Sequence, residues 1–254
     1  MSRLEAVVFD VDGTLVDSER HGHRVAFNVA FEEFGLPYRW DEDEYGDLLR
    51  VTGGRRRIDG YLARHGMPEE ERSDLAGRLH ERKTAIMTEL IEAGRIEARP
   101  GANRLLAELA AAGCRLAVAT TGSRGWVERV LERSTSGARF GAIVTGDEVG
   151  ARKPDPEAFV VALERLGVPA DSAVAVEDSA EGLESALGAG LRCAVVVNGY
   201  TAGHDLDGAD LILDGFGEPD APAQVLADRR HTGCAGVLDA ATLTRLLPGT
   251  ATPE

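Results

Sequence analysis

Ala6-Val7-Val8-Phe9-Asp10-Val11-Asp12-Gly13-Thr14-Leu15 decides the fold. An unbroken apolar run, Ala6 to Phe9, leads into two carboxylates separated by Val11 and followed by a glycine. So short a run, without alternation, suits a strand of a parallel sheet covered on both faces. Ligands of such sheets bind beyond the carboxyl ends of the strands. Two carboxylates there are costly unless something positive joins them. A magnesium ion, which takes about six oxygens, would join them. Asp10 can then give one oxygen to the metal and attack phosphorus with the other, as carboxylate nucleophiles do in forming aspartyl phosphates. Asp12 is placed to protonate the leaving oxygen and then to take a proton from water. Gly13 allows a sharp turn where backbone must approach a phosphate. The plain alternative is a strand end followed by an Asp-Gly turn.

Five more short apolar runs follow: 116–119, 142–144, 173–176, 193–197 and 211–213. Helical spacing lies between them, in Leu105, Leu106, Leu109 and Ala112 and again in Phe159, Ala162, Leu163 and Leu166. Gly167, Gly188 and Gly190 stand where helices stop. Alternating strands and helices predict an α/β, doubly wound parallel-sheet core of Rossmann-like type. One stretch breaks the alternation. From about residue 18 to 95 no strand is evident, and Val25, Phe27, Ala30, Phe31 and Phe34 suit a helix ending at Gly35. Leu75, Leu79, Ile86, Leu90 and Ile91 suit a long helix ending at Gly94. The expected organisation is a core of residues 1–16 and 97–254 with an all-helical domain, 17–96, inserted after strand one. Residues 248–254 read as a loose tail.

Three further polar clusters follow predicted strands. Thr120-Thr121-Gly122-Ser123 offers a hydroxyl and free N–H groups to a phosphate, although Thr after a strand is also an ordinary helix cap. Lys153 lies between Arg152 and Pro154, with Pro156 stiffening the segment and marking a helix start. An ammonium there can neutralise phosphate oxygens as charge develops. Glu177-Asp178-Ser179 follows the fourth run: Asp178 would complete the metal's protein ligands, and Glu177 would support it through water. The expected metal set is thus Asp10, Asp12, Asp178 and Glu177, and the expected catalytic set Asp10, Asp12, Thr120 and Lys153.

Composition narrows the class. The chain has 254 residues, 43% of them hydrophobic, enough for a real core. A net charge of −15 argues against nucleic acid as a partner, and any phosphate site must be locally positive. Cys114, Cys193 and Cys234 are far apart and form no zinc or CxxC pattern. The chain shows no membrane-length apolar stretch and no signal-peptide pattern, so a cytoplasmic location is expected. Its only lysines are Lys83 and Lys153; a chain that otherwise uses arginine can keep lysine where a compact ammonium is needed.

The four clusters, in the order nucleophile, hydroxyl, lysine and acid pair, resemble the haloacid-dehalogenase-like superfamily over nearly all of residues 6–215. The resemblance implies a magnesium-dependent phosphatase whose helical insertion closes over a small phosphorylated metabolite. Within the insertion, His23-Arg24-Val25-Ala26-Phe27-Asn28, Trp40-Asp41 to Tyr45, Thr52-Gly53-Gly54-Arg55 and the helix bearing Lys83 resemble the CbbY-type phosphatases, which act on xylulose-1,5-bisphosphate. That resemblance implies that Glu19, His23, Tyr45, Gly53, Gly54 and Arg55 line the substrate side. Thr121 and Gly122 are counted with them. Arg55 stands where such proteins frequently carry lysine, and His21 where an acid is expected. Gly53 and Gly54 offer unhindered N–H groups with Arg55, Arg56 and Arg57 directly after, a grip for a second phosphate that Lys83 would share. Other readings remain open on the same motifs: a β-phosphoglucomutase-like mutase, a phosphoglycolate phosphatase, or a catalytically silent binding module. The sequence leaves the oligomeric state undetermined.

Overall fold

The computed structural model describes residues 3–51 and 53–249. Thr52 of the Thr52–Arg55 motif, and 250–254 of the tail, lie outside the described residues. The chain divides into two compact units: Met1–Asp17 with Glu97–Glu254, and Ser18–Ile96.

The larger unit is built on a seven-stranded sheet among the described residues. Its strands are β1 (Ala6–Phe9), β2 (Arg115–Ala119), β3 (Phe140–Val144), β4 (Ala173–Glu177), β5 (Arg192–Val196), β6 (Leu211–Leu213) and β7 (Val225–Asp228), in the spatial order β3-β2-β1-β4-β5-β6-β7. All neighbours are parallel except β7, which pairs antiparallel with β6. Every residue of β1 and β4 is buried, as the unbroken apolar runs require. Ala6, Val8, Ala117, Ala119, Ala173 and Ala175 share one core with Phe159, Leu163 and Leu183. Small alanines on this face leave room for the helices lying over it. The order of the central strands makes β1 and β4 neighbours although more than a hundred residues separate them, which brings the ends of both strands together.

Nine α-helices are described in the chain. The larger unit carries five: α5 (Ala102–Ala111), α6 (Arg124–Ser134), α7 (Glu157–Leu166), α8 (Ala180–Gly188) and α9 (Ala240–Leu246). In the segment beyond residue 215, β7 closes one sheet edge and α9 buries Leu243 and Leu246. Arg104 ties this segment down, donating to the carbonyls of Gly217 (3.0 Å) and Leu238 (3.0 Å).

The smaller unit, Ser18–Ile96, is all-helical among its described residues. A π-helical turn, Glu19–His23, runs into α1 (Arg24–Glu33), followed by α2 (Glu42–Leu48), α3 (Gly54–Arg64) and α4 (Glu69–Glu92). Its core is aromatic. Trp40 packs on Phe27 (ring centroids 4.8 Å apart), Phe31 (4.9 Å) and Tyr61 (5.1 Å). Asn28 fixes Trp40 by donating to its carbonyl and accepting from its N–H, each at 2.8 Å. No described helix is long and apolar enough to cross a membrane.

Candidate active site

Strand register builds the site. β1 pairs with β4 so that Phe9 lies opposite Val176, and the Asp10 N–H donates to the Val176 carbonyl at 3.0 Å. Asp10 therefore leaves the sheet beside Glu177 and Asp178. On the other side Phe9 lies opposite Val118, which sets Thr120 just beyond Asp10 on the adjacent strand end. The chain turns back after β1: the Val16 N–H donates to the Val11 carbonyl and the Gly13 N–H to the Val16 carbonyl. Gly13 has φ +83°, and a Cβ there would overlap the Asp178 carboxylate and come within 2.8 Å of Asn198 Nδ2. The position needs glycine for both reasons.

Lys153 reaches this point by a longer route than expected. It does not follow a strand end directly; it stands well beyond Val144, in the loop leading to α7. The turn-rich Pro154-Asp155-Pro156 segment carries it, and the loop is held by the Glu157 carboxylate, which accepts from the Ala151 N–H (2.9 Å), and by Ser185, which donates to the Asp155 carbonyl (2.7 Å). Lys153 Nζ donates to Asp10 Oδ1 at 2.7 Å and also to Glu177 Oε1. Thr14 donates to Asp178 Oδ1 (3.2 Å), and Asn198 Nδ2 donates to Asp178 Oδ2 (2.8 Å). Thr120 is buried, its hydroxyl accepting from the Gly122 N–H at 3.2 Å, while Thr121 is exposed and Gly122 half-buried. Asp12 is half-buried on the turn.

Asp10, Glu177 and Asp178 each offer an oxygen within 4.8 Å of the others, and all three are buried. Asp12, which bridges to Val16 on the turn after β1, is not in this group. Burial pushes the Asp10 carboxyl up despite Lys153. Burial and the Asp10 charge push Glu177 up to about 7. Asp178 is driven well above the carboxylate range by burial and by both neighbouring carboxylates, with Arg99 and Lys153 pulling the other way. Burial alone would lower the Lys153 ammonium, but Asp10 and Glu177 outweigh it and hold its pKa above the ordinary range. Three buried carboxylates facing one ammonium leave a negative, all-oxygen donor set. That is the chemistry a hard divalent cation such as magnesium takes, so the residues present fit that ion.

The helical unit holds its own basic cluster. Lys83 and Arg57 are buried. Lys83 Nζ donates to His23 Nδ1 at 2.8 Å and lies 4.9 Å from the centre of the Phe27 ring. Arg57 donates to the Tyr45 hydroxyl (3.2 Å), which in turn donates to Glu19 Oε2 (2.5 Å). Burial and the nearby Lys83, Arg57 and His80 hold His23 well below its usual pKa, so it is neutral and accepts from Lys83. Gly53 (φ +93°) and Gly54 lie at the start of α3, and a Cβ on Gly54 would come within 2.9 Å of His80 Nδ1, so the His80 ring would have to shift. Arg55, by contrast, is exposed and leans on the Ser73 carbonyl at 3.4 Å. His21 is also exposed. The buried arginine of the three is Arg57, because α3 turns 57, 58, 61 and 62 to one face and the last three are Ile, Tyr and Leu. That pattern was readable in the sequence and singles out Arg57; His80, one turn before Lys83, carried no such signal.

A family model for haloacid dehalogenase-like hydrolases matches residues 4–190. Protein CbbY of Cereibacter sphaeroides is 45% identical over 219 residues, which is 85% of this chain and 94% of that protein. A phosphorylated carbohydrates phosphatase of Thermotoga maritima is 34% identical over 198 residues, 74% of this chain and 83% of that one. Among solved structures, a mutant of CbbY from Rhodobacter sphaeroides in complex with xylulose-(1,5)bisphosphate matches with a TM-score of 0.69 and 42% identity, covering 84% of this chain and 94% of that one.

Proposed function

Since the chain belongs to the haloacid dehalogenase-like hydrolase family and is a sugar-phosphate phosphatase within it, we propose that it hydrolyses a sugar bisphosphate of the xylulose-1,5-bisphosphate kind through an aspartyl phosphate, with magnesium as cofactor. The observation that carries the reading is the buried set of Asp10, Glu177 and Asp178 with Lys153 bonded to the first two. Asp10 attacks phosphorus; the Asp10–phosphorus bond forms as the bond to the sugar oxygen breaks, and Asp12 gives that oxygen a proton. Lys153 and Thr120 hold the phosphoryl oxygens, Lys153 also fixing Asp10 Oδ1. Water then attacks phosphorus, Asp12 takes its proton, and Asp10 returns as a free carboxylate with inorganic phosphate released. Asp10, Asp178 and Glu177 would hold magnesium, which would supply charge neutralisation and orientation when bound.

The second phosphate of the substrate is assigned to the helical unit, where Lys83 and Arg57 are buried beside His23 and the start of α3. Glu19, Tyr45, Gly53, Gly54 and Arg55 are proposed to line the same side. One comparison supports a bisphosphate over a monophosphate: the solved CbbY structure, 42% identical to this chain, holds xylulose-(1,5)bisphosphate. Release of inorganic phosphate from xylulose-1,5-bisphosphate, compared with isomerisation of β-glucose-1-phosphate, tests the reading. Phosphate release with magnesium and none with EDTA is expected. Isomerisation without phosphate release would replace the phosphatase reading by a mutase.

A further inference from the structure

The Asp178 carboxylate is gripped at both oxygens, and the grip extends into a closed ring of contacts. Thr14 donates to Oδ1 and Asn198 to Oδ2. The same Asn198 amide donates to the Gly13 carbonyl at 3.3 Å. Its orientation is fixed from behind: Asn198 Oδ1 accepts from the Tyr200 N–H (2.8 Å), and the Asn198 N–H donates to Thr201 Oγ1 (3.0 Å). The Gly13 carbonyl takes a second donor, Arg99 Nη1, at 2.6 Å. Arg99 spreads the rest of its fork over the carbonyls of Val196 (2.7 Å), Val197 (2.6 Å) and Asp214 (3.3 Å). Arg99 thus ties the turn after β1 to the ends of β5 and β6, while Asn198 links that turn to Asp178. A planar guanidinium suits this task because its donors are fixed relative to one another.

We infer that Arg99 and Asn198 are positioning residues for magnesium: they fix the Gly13 turn and aim the Asp178 carboxylate at the ion. The inference rests on Asp178 being a metal ligand. Groups that orient a ligand in this way set metal affinity without touching the metal. Neither residue belongs to the four clusters of polar residues that carry the chemistry.

The test is magnesium binding by titration calorimetry on the full chain without substrate, for wild type, Asn198→Ala, Arg99→Lys and Arg104→Lys. Arg104 is the control, since it also clamps backbone carbonyls of the larger unit but at Gly217 and Leu238. Asn198→Ala is expected to raise the magnesium Kd by roughly 10–100-fold, with kcat recovering at saturating magnesium and KM for the sugar phosphate unmoved. Arg99→Lys, which keeps the charge and loses the fork, is expected to weaken binding in the same direction. Arg104→Lys is expected to lower Tm and leave the magnesium Kd alone. Folded Asn198→Ala protein that binds magnesium as wild type does overturns the inference while leaving the metal site standing. Wild-type protein that binds no magnesium removes the metal reading of Asp178 and this inference with it.

Discussion

Replacing Lys153 by methionine removes the cation bonded to both Asp10 and Glu177. The Lys153, Asp10 and Glu177 side chains are 6%, 9% and 1% exposed, so water cannot take over the lost charge. Taking one partner from a buried ion pair costs about 3–5 kcal/mol. For a unit of this size each kcal/mol moves Tm by about 2–4 °C, so a fall on the order of 6–20 °C is expected in EDTA at pH 8. Methionine nearly matches the lysine stem and can keep the contact with Phe159, whose ring centre lies 5.0 Å from Nζ, so the loss is electrostatic. The pH dependence has a definite sign. Glu177 is raised from 4.5 to about 7 in the fold, so its contribution is present below 4.5 and lost as pH rises through 7. Without Lys153 the carboxylates hold protons to still higher pH, so the deficit of the variant shrinks as the solution is acidified from pH 8 towards 5.5. Magnesium should raise Tm of the variant more than that of wild type while activity stays lost. Differential scanning calorimetry of the full chain reads the shift. A Tm within about 2 °C of wild type at pH 8 in EDTA, or a deficit independent of pH, would refute the reasoning.

Other expectations follow from the same contacts. Gly13→Ala places a Cβ against Asp178 at a positive φ, so kcat should fall at least tenfold and stability by about 1–3 kcal/mol, read by steady-state kinetics and thermal melting. Lys83→Met should raise KM for a bisphosphate and leave KM for a sugar monophosphate little changed, measured by phosphate release on both. Glu148 is drawn down to about 2: burial opposes this, but Arg165, the Thr145 N–H and Arg124 prevail. Its contribution is therefore present above 4.5 and lost as pH falls towards 2. Discounted for exposure, Glu148→Gln should cost about 1 kcal/mol at pH 7 and progressively less below pH 4, by chemical denaturation.

Much of the larger unit could be read from apolar runs, because strands buried on both faces need no alternation to be recognised. β7 could not. Val225-Leu226-Ala227-Asp228 is an edge strand with Leu226 exposed, and its sequence looks like loop. In the helical unit α1 and α4 showed their spacing, but α2 is acidic and contains Gly46, burying only Tyr45 and Leu48. Its one signal was Asp41, which caps it by accepting from the Glu44 N–H at 2.8 Å. The π-helical turn of Glu19–His23 left no trace in composition. Asp10, Glu177 and Asp178 stood out because charged residues after apolar runs are conspicuous, and Lys153 because it is one of only two lysines and stands beside Pro154. Asn198 and Arg99 did not, since what they hold are backbone carbonyls and a carboxylate distant in sequence. Asn198-Gly199 following β5 was a turn signal that gave no hint of Asp178.

Rapid acid quenching of the enzyme during turnover of a sugar bisphosphate with magnesium, followed by borohydride reduction and peptide mapping, locates any acyl phosphate. Reduction converts an aspartyl phosphate to homoserine, and homoserine is expected at position 10 alone. Homoserine at position 12, or its absence from enzyme quenched during a burst of product formation, would contradict Asp10 as the group that takes the phosphoryl.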